Sequence, residues 1–391
     1  MEESFQFGKR IASARKKIPK KAIFCYSTNL DSVIEIGLPE AGLVFAYLPG
    51  LLESMQKGNG MEARISESAF RKVKELLPPG SPRIGGPAGI MALDAARLGV
   101  RSYLHTPSKS GELLSLFRSD RVLVASEKGF VPARDVSDDS GPPIHLILEF
   151  KKGPGIASSN RFIASHESVN PSLVIDPLFS RRILDELPGI SKGIVAGFHL
   201  LSPEVFKRRK GEVLGQISSW KRTNPHLKLH LEWGSFISKE TEKLVVKHAL
   251  PLFDCAAFNE DEFPSIMRAL GRKEELGGIR DILEKTGTAV LHTRDYSLAF
   301  SREFSSESLA DSLTFASFAA GFKASKGRAP AFRELGKTRF RLKKIKMPKV
   351  DGKRLAKQGV AFALSPSVEV TPKLTVGLGD CFSMAFFLSL K

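Results

Sequence analysis

The sequence predicts an α/β protein, a parallel, doubly wound sheet covered by helices, accompanied by a smaller second unit. Downstream of Asn170-Pro171, short β-favouring runs alternate with stretches of helical periodicity, the spacing of strand–helix–strand units in a parallel sheet. Polar residues recur at the ends of those runs: His230 with Glu232, Asn259 with Glu262, and His292 with Thr293. An open parallel sheet presents ligand groups along that edge, so the recurrence points the same way. The length, 391 residues, exceeds one ordinary core and favours two domains or a large domain with a lid.

Taken in order, residues 22–28 are a short apolar run after a basic segment, read as a buried strand that leads into Asn29-Leu30-Asp31. A polar pair there suits either a ligand or the cap of a turn. Glu62 sits in a glycine-bearing turn, and residues 66–77 carry helical periodicity that stops at Pro78-Pro79-Gly80. In Gly85-Gly86-Pro87, the proline suits the first position of a helix running to Gly99. The glycines before it admit a ligand or a close helix contact. Residues 142–150 read as a strand with His145 near its start, 151–159 as a loop, and 160–166 as a strand containing Arg161.

Further strands are predicted at 173–175, 193–198, 227–232, 255–258 and 288–292. Helices are predicted at 179–187, 203–221, from 238, at 260–270 and at 274–284, and 306–323 reads as a largely buried one. The last motif is Val376-Gly377-Leu378-Gly379-Asp380, followed by an apolar run. Two glycines let backbone N–H groups at a helix start approach a phosphate, and a carboxylate beside them can take a proton. Phosphoryl transfer to an alcohol needs that pair of parts. A turn before a helix with an aspartate cap has the same spelling.

With 42% hydrophobic and 26% charged residues the chain is globular. Its apolar stretches fall well short of the roughly 20 residues of a membrane span, and Met1-Glu2-Glu3-Ser4-Phe5 has no signal core, so a cytoplasmic location and no membrane partner are expected. Cys25, Cys255 and Cys381 have neither disulfide nor metal spacing. A net charge of +17 suits a nucleic-acid binder and equally an enzyme of phosphorylated anions. The densest basic clusters, Arg15-Lys16-Lys17 with Lys20-Lys21 and the stretch 337–346 that includes Arg339, lie outside every motif and read as solvated faces. Nucleic acid is therefore not expected as a partner.

Assembled, these segments resemble the ADP-dependent sugar kinases, the glucokinase and phosphofructokinase family with a ribokinase-like fold. The resemblance runs in order from about residue 21 through Asn29-Leu30-Asp31, Gly85 to Ile90, His145 to Glu149, Asn160 to Ile163, His230-Leu231-Glu232, Asn259 to Glu262, His292-Thr293 and Gly377 to Asp380. It implies a three-layer α/β/α large domain over 1–28 and 171–391, with 81–105, and an α/β lid over 29–80 and 106–170. It implies ADP as phosphoryl donor and Mg²⁺ as cofactor, in a monomer or small homo-oligomer.

Residue by residue, the family's base falls on Asp380, its anion cradle on Gly377 and Gly379, and its phosphate-binding arginine on Arg161. Nucleotide contacts fall on His292 and Thr293, and sugar contacts on Asn29, Asp31, Gly86 and His145. Magnesium-linked motifs fall on His230, Glu232, Asn259 and Glu262. Glu62 holds the place of the lid glutamate by which glucokinases bind sugar, which puts glucose ahead of fructose 6-phosphate. Pro87 and Cys381-Phe382 depart from the family pattern. The alternatives are a phosphofructokinase and a non-catalytic basic binding protein on a kinase fold.

Overall fold

A computed structural model describes residues 2–391 apart from Gly336, Arg339, Met347, Lys349 and Thr375; Arg339 of the second basic cluster thus lies outside the described residues. A ten-stranded sheet runs, edge to edge, through Ala361–Pro366, Tyr296–Ser301, Thr288–His292, Cys255–Asn259, Lys228–Glu232, Lys192–Val195, Lys21–Cys25, Arg101–Leu104, Val122–Ser126 and Gly129–Pro132. Its central strands are parallel and antiparallel partners close both edges. Along Lys21–Cys25, Ala22 and Phe24 pack into one apolar core, Ile23 and Cys25 into the other. That alternation places helices on both faces, because successive strand residues point to opposite sides.

One layer holds the helices Pro87–Arg97, Ser306–Lys326 and Leu378–Ser389; the opposite layer holds Pro177–Glu186, Pro203–Thr223, Lys239–His248 and Glu275–Thr286. Leu378–Ser389 is buried from Cys381 onward, in keeping with a sequence that is apolar there apart from Ser383 and Ser389.

A second, five-stranded sheet runs Met61–Arg64, Asn160–Ser165, Ile144–Phe150, Asn29–Glu35 and Ser81–Gly85. Its own core of Ile34, Val44, Leu51, Met55, Val73, Leu146, Leu148, Phe150, Phe162 and Ala164 lies against short helices on one face.

Four expectations need correction. Asn29 and Asp31 do not end the first strand; they open Asn29–Glu35 in the second sheet. Ser81–Gly85 joins that same sheet, whereas 101–104, 122–126 and 129–132 belong to the large one, so the strands within 106–143 complete the large sheet and not the small one. Residues 171–173 form a turn with Leu173 at φ 48°, and 174–175 are irregular; Leu173 and Ile175 are apolar because they plug the large core, not because they pair in a sheet. The basic clusters are partly paired: Lys17 lies 3.7 Å from Asp311, Lys21 2.8 Å from Glu186 and Lys343 2.8 Å from Asp295.

Candidate active site

The open face of the second sheet follows from period two. Leu146, Leu148, Phe162, Ala164 and Ile34 point into its core. The intervening residues, Asp31, His145 and Arg161, therefore share the opposite face, with Glu62 beside them. Asp31 and His145 are register partners on adjacent strands, as are Glu149 and Arg161. Asp31 accepts a hydrogen bond from Asn29 Nδ2 at 2.6 Å, and burial pushes its carboxyl up to about 6, with His145 and Asn29 opposing. The other amide atom, Asn29 Oδ1, is buried with no protein partner.

His145 is held above the usual imidazole range: burial opposes protonation, but Glu167, Asp31 and Glu62 outweigh it. Glu167 lies 3.4 Å from His145 Nε2 and is anchored by the N–H groups of Val169 and Asn170 at 2.6 and 2.9 Å. Two further residues with no motif of their own come close to this face. Glu167 is one, and buried His199, which feels the charges of Glu62 and His145, is the other.

Gly86 is required by geometry. Its φ is +73°, and an added side-chain carbon would stand 2.6 Å from Ser27 O, the atom that accepts the Ala88 N–H at the helix start.

Facing this sheet is the carboxyl edge of the large one. Lys228–Glu232, Cys255–Asn259 and Thr288–His292 are neighbours, and Asn259 is in register with His292. Burial, with the nearby Asp380 and Glu262 carboxylates, pushes Glu232 well above the usual range. Burial pushes Glu262 up to about 7 although it accepts from Asn259 N at 3.0 Å and Asn259 Nδ2 at 2.8 Å. His230 Nε2 lies 3.2 Å from Glu232, and burial holds the ring down to about 3. Its Nδ1 is buried without a protein partner. Thr293 Oγ1 donates to Tyr296 O at 2.9 Å and so closes its own turn, while His292 leans against Phe382 and Gly379.

Asp380 stands in the first turn of Leu378–Ser389, with Gly377 as its cap at φ +68°. Burial pushes its carboxyl up to about 6; Lys323 and Arg161 oppose, and Asp94 adds to the rise. Arg161 acts on both Asp31 and Asp380, which brings the two sheets' polar faces together. The carboxylates crowd one another, yet among the described residues no three side chains converge as a direct metal cage. A strongly hydrated divalent ion completed by water and phosphate oxygens suits such acids better than a protein-only shell. A separate cavity of about 330 Å³, with Arg272, Lys273, Arg280 and Arg354 on its wall, contains none of these residues.

Residues 47–389 match the family described as "ADP-specific Phosphofructokinase/Glucokinase conserved region". The chain belongs to that family. It is thus an ADP-dependent sugar kinase with a ribokinase-like fold. It is 26% identical to an ADP-dependent glucose/glucosamine kinase of Pyrococcus furiosus, over 97% of this chain and 96% of that one. It is 27% identical to an ADP-specific phosphofructokinase of Pyrococcus abyssi, over 78% of each. Among solved structures, one described as "ADP-dependent kinase complex with fructose-6-phosphate and ADPbetaS" superimposes with a TM-score of 0.85 at 20% identity, covering 100% of this chain and 98% of that one. In this kinase the residues chosen from sequence gather in two groups, Asp31, Glu62, His145 and Arg161 on the small sheet and Glu232, Asn259, Glu262, His292 and Asp380 at the large sheet's edge. No helix among the described residues is long and apolar enough to cross a membrane.

Proposed function

We propose that the chain phosphorylates glucose from ADP, releasing AMP and glucose 6-phosphate, with Asp380 as general base. The sugar oxygen bonds to the terminal phosphorus of ADP, the bond from that phosphorus to the bridging oxygen breaks, and AMP departs with the electron pair. The hydroxyl proton passes to Asp380, whose carboxyl near 6 suits a base working around neutral pH. Gly377 and Gly379 leave the helix N–H groups open to the transferred group, and Arg161 meets its charge. Glu232 and Glu262, with Asn259 and His230 behind them, suit Mg²⁺ through its water shell; when bound, the ion neutralises phosphate charge.

The observation that carries glucose over fructose 6-phosphate is Glu62. It stands on the face shared by Asp31 and His145, close enough to affect both. An acid there accepts hydroxyl hydrogen bonds and repels a sugar phosphate. The deciding experiment is kcat/KM for both sugars in the native protein and in Glu62→Ala. Glucose should lead, and the lead should shrink in the variant. A native preference for fructose 6-phosphate, or an unmoved ratio, ends the argument.

The phosphofructokinase reading draws on Arg83, the register partner of Asp31 on the adjacent strand, which puts a cation on the same face of the small sheet. In that case Arg83→Ala should selectively abolish use of fructose 6-phosphate.

A further inference from the structure

Beneath the glycine–aspartate turn lies a charge pair with no part in the scheme above. Lys323, near the end of Ser306–Lys326, places Nζ 2.7 Å from Asp94 Oδ2 on Pro87–Arg97. The two side chains are only 8% and 4% exposed. The Cys381 thiol, next to the candidate base, also bonds Asp94. The ammonium is so close under the turn that a side-chain carbon added at Gly377 would stand 3.0 Å from Nζ. Stability alone is a poor reason for such a pair. Desolvation of two buried charges offsets their attraction, and apolar residues of similar volume often serve as well.

We propose that Lys323 and Asp94 are positioning residues for the base: the ammonium, held by Asp94, props the Gly377 turn from beneath and presents its charge to the turn that carries Asp380, while Asp94 offsets part of that charge. The inference rests on Asp380 being the base. The charges acting on Asp380 fit it. Burial lifts the carboxyl, Lys323 is the strongest opposing charge, and Asp94 works against Lys323. Arg161 from the small sheet lowers it as well, and Glu232 and Glu262 face it from neighbouring strand ends. His292 sits against Gly379, but burial holds it near 4 and so neutral. Burial pulls the Lys323 ammonium down, and the charges of Asp94, Cys381 and Asp380 together hold it above its ordinary range, so Asp380 itself still supports the ammonium when Asp94 is replaced.

The pair makes a prediction of opposite signs. In kcat/KM against pH, with ADP and Mg²⁺ saturating, Lys323→Met should move the acidic limb up by about one pH unit. Asp94→Asn, which keeps the volume and frees the ammonium, should move it down. The double variant Lys323→Met/Asp94→Leu removes both buried charges and should fall between them, near native. KM for ADP on the plateau should change little in any of the three.

Folding is checked by thermal melts, and if Lys323→Met does not fold, Asp94→Asn and the double variant decide. Folded variants whose acidic limbs superimpose on the native one, alongside an inactive Asp380→Asn, overturn the proposal. An Asp380→Asn that turns over normally overturns the base assignment and this inference with it.

Discussion

Replacing Asp380 by Asn tests the centre of the site in two ways at once, because the residue's cost to the fold and its value to the reaction share an origin. Asn keeps the shape and the place in the first helical turn, so the fold and ADP affinity should survive. It cannot take the hydroxyl proton, and kcat should fall on the order of 10²- to 10⁴-fold. The stability effect runs the other way. In the folded chain the carboxyl rises from 3.8 to about 6. A raised acid binds its proton more tightly when folded, so stability falls as pH climbs through that window, and above it the full cost persists. About two pH units correspond to at most about 3 kcal/mol. Asn carries no such cost. Ligand-free Asp380→Asn should therefore melt a few degrees above the native protein at pH 8, and the two curves should converge as the pH drops below 4. The assays are AMP release with glucose, ADP and Mg²⁺, and melting curves from pH 4 to 8. Native-like turnover, or a variant that melts lower at pH 8, would refute the reasoning.

Glu232→Gln and Glu262→Gln should each raise the Mg²⁺ concentration giving half-maximal rate, since a carboxylate is lost from a hard-cation site or its water shell; unchanged Mg²⁺ titrations would make both acids structural. Glu167→Ala should raise KM for the sugar more than it lowers kcat, because His145 loses the carboxylate that orients it while Asp380 is untouched; equal ADP affinity by calorimetry separates this from general damage. Lys192 donates to the carbonyl oxygens of Phe387, Leu388 and Leu390 at 2.6, 3.0 and 2.5 Å, capping the helix that bears Asp380. Lys192→Met should lower stability by about 1–3 kcal/mol in denaturant titrations, as three buried acceptors lose their donor.

Much of this site is legible in the sequence because its parts are local. Glu232, Asn259 and His292 each end a short apolar strand, and parallel neighbours carry such ends to one edge whatever the helices between them do. Gly377 to Asp380 announces itself by two glycines and an acid ahead of an apolar helix. What stays hidden is pairing between distant segments. Asn29-Leu30-Asp31 follows the strand Lys21–Cys25 so closely that it reads as its continuation, and only the pairing of 29–35 with 81–85 and 144–150 shows a second sheet. The hairpin 122–132 lies between lid segments in the chain, and nothing local says which sheet it completes. Lys323 and Asp94 are 229 positions apart, and each reads alone as an ordinary helix charge. Glu167 belongs to no motif and acquires meaning only from the imidazole it touches.

The two polar faces are built with complementary faults. At the large sheet's edge, Asp380, Glu232 and Glu262 are all lifted above their ordinary range by burial, with Asp94 adding to the rise of Asp380 and Asp380 to that of both glutamates. On the small sheet, Asp31 is likewise lifted by burial, the acids beside His145 hold it above the usual imidazole range against burial, and the Arg161 charge acts on both Asp31 and Asp380. In the function proposed above, a sugar would hydrogen-bond the groups of the small face and magnesium with ADP would meet the acids of the large one, and Arg161, whose charge acts on Asp31 and Asp380, would serve both. An enzyme that must transfer a phosphoryl group to a sugar rather than to water gains from that arrangement, because the charge pattern favouring reaction is complete only when the acceptor is already in place.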